Sequence, residues 1–298
     1  MTTIYDDVFK TMISGPKYPL LKLINEIFHT DYTGKEKIQY YDKEFIYPDF
    51  QNNFEKRLSD SSFSIEKDGI SKHYHIECQT NADDAILIRI FEYDIQIAFR
   101  HHKMKDHELS VVFPESAVLF LRNPKEDAKQ LKISFTIDGQ QVTHCIKVIR
   151  ISDYNLNDII EKQLYFLIPF YIFNYDHDLR KIDKDKEKIT QITHDFTVLI
   201  DHLNEKMESG DLDSFSYYTI VEMMRDVVES YTKRYNNIRR EVKQLMNGKI
   251  IEYQARTDYM EGLREGHKNG LEEGHKNGLK EGREEVKISF PFTFSLCR

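Results

Sequence analysis

The sequence predicts an α/β core followed by a helical region, and three observations carry that expectation. Two alternating runs, residues 60–66 and 72–79, flank Asp68-Gly69, a dipeptide favoured in two-residue hairpin loops of type I′. Segments of helical spacing lie among these strand-like runs: Leu20, Leu23, Ile24, Ile27 and Phe28 repeat as one helix face does. Beyond about residue 188 the spacing is helical alone.

In chain order, residues 4–13 and 19–29 read as short helices. Residues 31–59 are polar and irregular, and read as a loop with a weak strand. After the hairpin, residues 84–104 read as a long helix. Residues 117–122, 130–137 and 142–150 read as strands, with Asp138-Gly139 as the turn between the last two. Residues 155–162 read as a helix and are followed by an apolar run, Leu164 to Phe173.

A charged stretch, Arg180 to Lys188, marks a boundary, and helices are expected at about 188–207, 212–240 and 241–260. The expected divisions are a core over 1–178, a helical C-terminal region over 179–260 and a tail over 261–298. In the tail, glycines 262, 266, 270, 274, 278 and 282 fall every fourth residue, and GHKNGLEE is followed at once by GHKNGLKE. Each helical Gly costs about 0.8–1.0 kcal/mol relative to Ala, so the tail is expected to be low-complexity and disordered in the free monomer. The other reading is a glycine stripe for close helix approach. A homo-oligomer through the helical C-terminal region is the expected self-partner. The final ISFPFTFSLCR differs again in character.

Apolar residues form 40% of the 298 residues, enough for a sizeable core. A net charge of -8 argues against a nucleic-acid binder of the basic-tail kind. It leaves room for a local basic groove. Cys78, Cys145 and Cys297 are odd in number and widely spaced, which suits neither a disulfide framework nor a zinc site. The opening MTTIYDDVFK lacks a signal-peptide pattern. The apolar run contains a proline and is too short for a bilayer span. The expectation is a cytoplasmic protein with no membrane partner.

The chemistry centres on DSSFSIEKDGISKHYHIECQ, residues 60–79. With Asp68-Gly69 as the loop, Lys67 faces Ile70, and the same register sets Asp60 opposite Glu77. One face then holds Phe63, Ile65, Tyr74 and Ile76. The other holds Asp60, Ser62, Ser64, Glu66, His73, His75, Glu77 and Gln79, as expected of a half-buried hairpin. Opposed Cβ atoms lie about 4.5–5.5 Å apart, so both carboxylates can reach one divalent cation. Mg²⁺ suits oxygen ligands of this kind. Gln79 shares the face and could orient a water or a phosphate oxygen. The plainer reading of these residues is a solvated strand face.

RLSDSSFSI, YHIECQ and IRIFEYDIQIA, in that order, resemble a bacterial PD-(D/E)XK nuclease family related to recombination-promoting nucleases and often labelled transposases. YDDVFK, AVLFLR, LYFLIPFYIFNY and LMNGKIIEYQA extend the resemblance over roughly residues 4 to 285. It implies a mixed central sheet flanked by helices and Mg²⁺-dependent (or Mn²⁺-dependent) hydrolysis of DNA. It makes Asp60 the first acid of the motif and Glu77 the second; in the mechanism expected from these residues, the Cys78 backbone carbonyl is a third metal ligand. Gln79 stands where the motif has Lys. A neutral amide supplies no charge to a phosphate, so a catalytically inactive DNA-binding or assembly module of the same fold is the rival expectation. Cleavage of RNA or of a branched structure also stays open.

Further candidates lie outside the hairpin. Arg89, Tyr93, Gln96 and Arg100 form one helical stripe, read either as substrate contacts lining the cleft or as a partly solvated polar face. Pro48-Asp49 is a literal PD without a register to Glu77. Asp6 reads as a first-turn helix acid before a contributor to the metal site, and the resembling family also has an acid followed by xxFK here. His73 and His75 read as cleft-wall or surface residues before metal ligands or bases. Lys233, Arg234, Arg239, Arg240 and Lys243 read as a charged helix surface before a phosphate contact.

Overall fold

The computed structural model describes residues 3–41, 44–48, 54–58, 61–81, 85–122 and 128–248, with 44–48 and 54–58 as backbone only. A capping box opens the first helix, α1 (Ile4–Ser14): Asp6 N–H donates to Thr3 Oγ1, and Thr3 N–H donates to the Asp6 carboxylate at 2.7 Å. Asp6 is thereby placed at the helix start. The second helix, α2 (Lys17–Phe28), buries Leu20, Leu21, Leu23, Ile24 and Ile27, close to the face expected from their spacing.

The strands are β1 (Lys37–Tyr40), β2 (Glu44–Pro48), β3 (Phe54–Leu58), β4 (Ser61–Lys67), β5 (Ile70–Gln79), β6 (Lys103–Lys105), β7 (Glu108–Ser110), β8 (Glu115–Phe120), β9 (Gln130–Ile137) and β10 (Gln140–Arg150). Six of them make a mixed sheet in the order β1-β4-β5-β8-β10-β9. Its centre is parallel: β5 pairs with β8 and β8 with β10 in that sense, and antiparallel partners flank them. Both Asp-Gly turns form as predicted, with positive φ at Asp68, Gly69, Asp138 and Gly139. The β4–β5 register runs from Lys67↔Ile70 to Ser61↔Ile76, as the sequence predicts.

Helix α3 (Ile86–Arg100) crosses from β5 to β8 and covers one face of the sheet, burying Ile86 and Ile90 against Val118, Phe120 and Ile146. The opposite face carries Tyr74, whose ring meets Phe28 of α2 at 5.1 Å and whose hydroxyl meets that of Tyr32 at 2.7 Å. After the capped helix α4 (Leu156–Glu161), the apolar run folds as a 3₁₀ segment, Tyr165–Tyr175, buried from Tyr165 through Phe173. Helices α5 (Leu179–Ile182), α6 (Lys186–Glu208) and α7 (Ser214–Tyr231) follow. Residues Met1–Leu245 form one compact unit, so the helices beyond residue 178 share it with the sheet. A second unit, Met246–Arg298, is described only through residue 248. The glycine repeat lies outside the described residues. Among those residues, no helix is long and apolar enough to cross a membrane.

Three expectations are corrected. The segment 31–59 holds three strands, with β2 and β3 paired antiparallel from Glu44↔Leu58 to Pro48↔Phe54. Strands this short lack a readable alternation, and β1 owes its form to pairing with β4. The helix expected over 84–104 ends at Arg100, and β6 and β7 form a ribbon turning at Asp106 and His107. Both turn residues have positive φ, which Asp and His tolerate better than most. The helix expected over 212–240 breaks after Tyr231. Asp183 accepts from the backbone N–H groups of Asn237 and Ile238 at 2.9 and 3.0 Å and so caps a new helix over residues 236–248.

Candidate active site

Ligands of open α/β sheets gather at the carboxyl ends of the parallel strands, and β5 ends there with Glu77, Cys78 and Gln79. Glu77 is 4% exposed. Its side chain shares a strand face with His75, two residues earlier. Cys78 is also buried but points to the other face, so any part it has in a metal site rests with its carbonyl. Gln79 is partly buried, and its carbonyl accepts from Leu121 N–H at 2.9 Å.

The alternation predicts one buried and one open face for β4–β5, and the structure closes both. Phe63, Ile65, Tyr74 and Ile76 are buried as expected, and so are Ser62, Ser64, His75 and Glu77. Helix α3 is the cause. It lays Tyr93 and Asp94 over the polar face, with the Tyr93 ring edge-on to His75 at 5.6 Å. His75 is therefore a core residue, contrary to its reading as a cleft wall or surface group.

Burial forces these polar groups to satisfy one another. His75 Nδ1 lies 2.7 Å from Asp94 Oδ1, and its Nε2 lies 3.0 Å from Glu77 Oε1. Each ring nitrogen faces a carboxylate oxygen, and a hydrogen on each would serve both bonds. Burial acts to lower the His75 pKa, but the bonds to Asp94 and Glu77 outweigh it and push it up to about 10. Asp94, fully buried, also accepts from Ser116 Oγ at 2.8 Å and faces His144 Nε2 at 2.9 Å. Burial raises its pKa, while the bonds from His144, His75 and Ser116 draw it below the ordinary carboxylate value.

The helix stripe is divided by this packing. Tyr93 is buried, Arg89 and Gln96 are partly buried, and Arg100 is exposed with its guanidinium 5.9 Å from the Tyr41 ring centroid. Around Tyr41 lie His73, whose Nδ1 is 2.9 Å from the Tyr41 hydroxyl, and His101, stacked on His73 at 4.1 Å. Asp60, the other predicted acid, lies outside the described residues, as does Asp49.

Sequence reasoning missed Asp94, Ser116 and His144. A signal for Asp94 was present: it falls on the apolar stripe of α3 with Ile86, Ile90, Tyr93 and Ile97. An acid in such a place needs buried partners. Ser116 and His144 lie on other strands and gave no local signal.

Among the described residues, no three His, Cys, Asp or Glu side chains converge as a metal site. The chemistry at the end of β5 nevertheless fits a hard divalent cation: a carboxylate, an amide oxygen and a backbone carbonyl are all oxygen donors. Ser62 Oγ, opposite His75 on the same face, is buried and has no hydrogen-bond partner among the described residues. It is an unsatisfied polar atom on the strand face that Glu77 shares, of the kind a bound water can satisfy.

No curated protein matches the sequence. No solved structure matches it either. The sequence does match the family described as "Putative transposase, YhgA-like" over residues 5–165, more than half of the chain, including the hairpin, α3 and β8–β10. This chain belongs to that YhgA-like family, within the PD-(D/E)XK superfamily.

Proposed function

We propose that the protein is a divalent-metal-dependent DNA endonuclease, acting in recombination or on mobile elements as its family description suggests. The observation that carries the reading is Glu77: a buried carboxylate at the carboxyl end of a central parallel strand, with one oxygen anchored by His75. Asp60, Glu77 and the Cys78 carbonyl would hold Mg²⁺ or Mn²⁺. A bound ion of this kind lowers the pKa of water and offsets charge on the scissile phosphate.

The chain's own residues do the positioning. Glu77 and Asp60 would hold the cation through their carboxylates. Gln79 orients the attacking water or a phosphate oxygen through its amide. Arg89 and Arg100 supply positive charge along α3 for the DNA backbone, with Tyr93 and Gln96 on the same stripe. Hydrolysis joins a water oxygen to phosphorus and breaks the bond to the 3′ oxygen, which leaves with a proton. The products carry 5′-phosphate and 3′-hydroxyl ends.

The test is cleavage of supercoiled plasmid with Mg²⁺ or Mn²⁺. Wild type should nick or linearise it, and Glu77→Ala and Asp60→Ala should each leave it intact. Cleavage by either variant would remove that acid from the site. A second reading, a DNA-binding module without catalysis, is favoured by Gln79, which lacks the charge of the motif Lys. Metal-independent DNA binding with no cleavage by wild type would establish that alternative.

A further inference from the structure

Glu77 does not stand alone in the core. A chain of hydrogen bonds connects it to the crossover helix: Glu77 Oε1 to His75 Nε2 at 3.0 Å, and His75 Nδ1 to Asp94 Oδ1 at 2.7 Å. His75 and Asp94 are 1% and 0% exposed. The second Asp94 oxygen is also held, by Ser116 of β8 and His144 of β10. The carboxylate of Asp94 is therefore fixed by three strands of the sheet and passes that fixity to the imidazole.

An imidazole held at one nitrogen has a defined ring plane, so its other nitrogen presents a donor at a defined point. Glu77 receives that donor on Oε1. Free rotation of the carboxylate would break the bond, so Oε2 is left in one orientation. A ligand held this way loses little conformational freedom when it takes up a cation. This is the arrangement found behind many metal ligands, where an outer carboxylate orients a histidine; here the histidine in turn orients a carboxylate.

We propose that Asp94 and His75 are positioning residues that set the Glu77 carboxylate for cation binding. Neither touches the substrate. The inference rests on the reading of Glu77 as a metal ligand and adds two residues to Asp60, Glu77 and Gln79. It also gives a function to an acid on the apolar stripe of α3.

The experiment uses the full chain and Mn²⁺ as the probe. The Mn²⁺ dissociation constant is measured by titration, and the Mn²⁺ concentration giving half-maximal plasmid cleavage is measured alongside. Asp94→Asn keeps the volume but loses the charge that holds the imidazole. It should weaken Mn²⁺ binding by roughly tenfold or more, the size seen for lost outer-sphere partners. Cleavage should return in large part at saturating Mn²⁺. His75→Gln, which keeps a polar group under α3, carries the same expectation and stands in should Asp94→Asn fail to fold.

A purely architectural role would lower the thermal midpoint and leave Mn²⁺ affinity within twofold of wild type. That result in either folded variant would overturn the positioning role, while wild-type binding and cleavage kept the nuclease reading intact. A wild type that neither bound Mn²⁺ nor cut plasmid would overturn both.

Discussion

The hairpins β4–β5 and β9–β10 turn on the same dipeptide, with φ of 53° and 76° at Asp68 and Gly69 and 49° and 79° at Asp138 and Gly139. Their registers both follow from that turn. Their surroundings differ. In β9, the edge strand, alternate residues are partly buried and the rest are exposed, while β10 is exposed near the turn, Val142 at 59%, and has its first buried residue at Ile146. In β4–β5 both faces are covered beyond the loop end, and the polar one is held by a network of buried charges. Turn chemistry thus fixes which residues share a face and leaves open what covers it.

The sharpest way to break this comparison is to cut side chains from each hairpin. Phe63 is fully buried and stacks on Tyr74 at 5.8 Å. Phe63→Ala should cost roughly 3–5 kcal/mol, whereas Val142→Ala should stay within about 0.5 kcal/mol. Urea unfolding measures both, and equal costs would erase the distinction.

Acid should divide the hairpins next. Glu36, one residue before β1, accepts from the N–H groups of Thr33 and Gly34 at 2.8–3.1 Å. Burial alone raises its pKa, yet these bonds win and bring it to about 2, from 4.5 in the open chain. The folded value is the lower one, so the stability it contributes is present above pH 4.5 and is lost as pH falls toward about 2. Hydrogen exchange should show β1 and β4 loosening in that window before β9, and Glu36→Gln should remove the pH dependence.

The smallest effect tests what the hairpins share. Gly69 and Gly139 both have positive φ and open space where a Cβ would lie. Alanine at either should cost about 1–2 kcal/mol from backbone strain alone. Matching losses by thermal unfolding would show that the two turns are equivalent, and a large mismatch would mean that one face depends on its turn.

Much of the fold was legible because its strongest signals are local. The apolar spacing gave α2, residues 4–13 were legible as the helix α1, and the Asp-Gly turns gave four strands and the register of β4–β5. Pairing of β2 with β3 was illegible, because five-residue strands carry too little periodicity. Burial of His75 was illegible for another reason: alternation reports polarity, and only the docking of α3 decides whether a polar face is wet. The place of Glu77 near the end of β5 was legible from the register, while Asp60 lies outside the described residues. Asp94 was readable in principle as a misplaced acid; its partners were not, since they come from other strands.

The bonds of Asp94 also bear on the order of assembly. Its partners lie 19, 22 and 50 residues away, so they form only after β5, β8 and β10 have met. Without them, α3 carries an acid on the side that must become dry, and burying it unpaired is costly. A Ser116→Ala protein should consequently unfold faster while folding at an almost unchanged rate in stopped-flow experiments. In that outcome the seating of α3 would act as an inspection step, favouring a sheet whose strands β5, β8 and β10 are already in line.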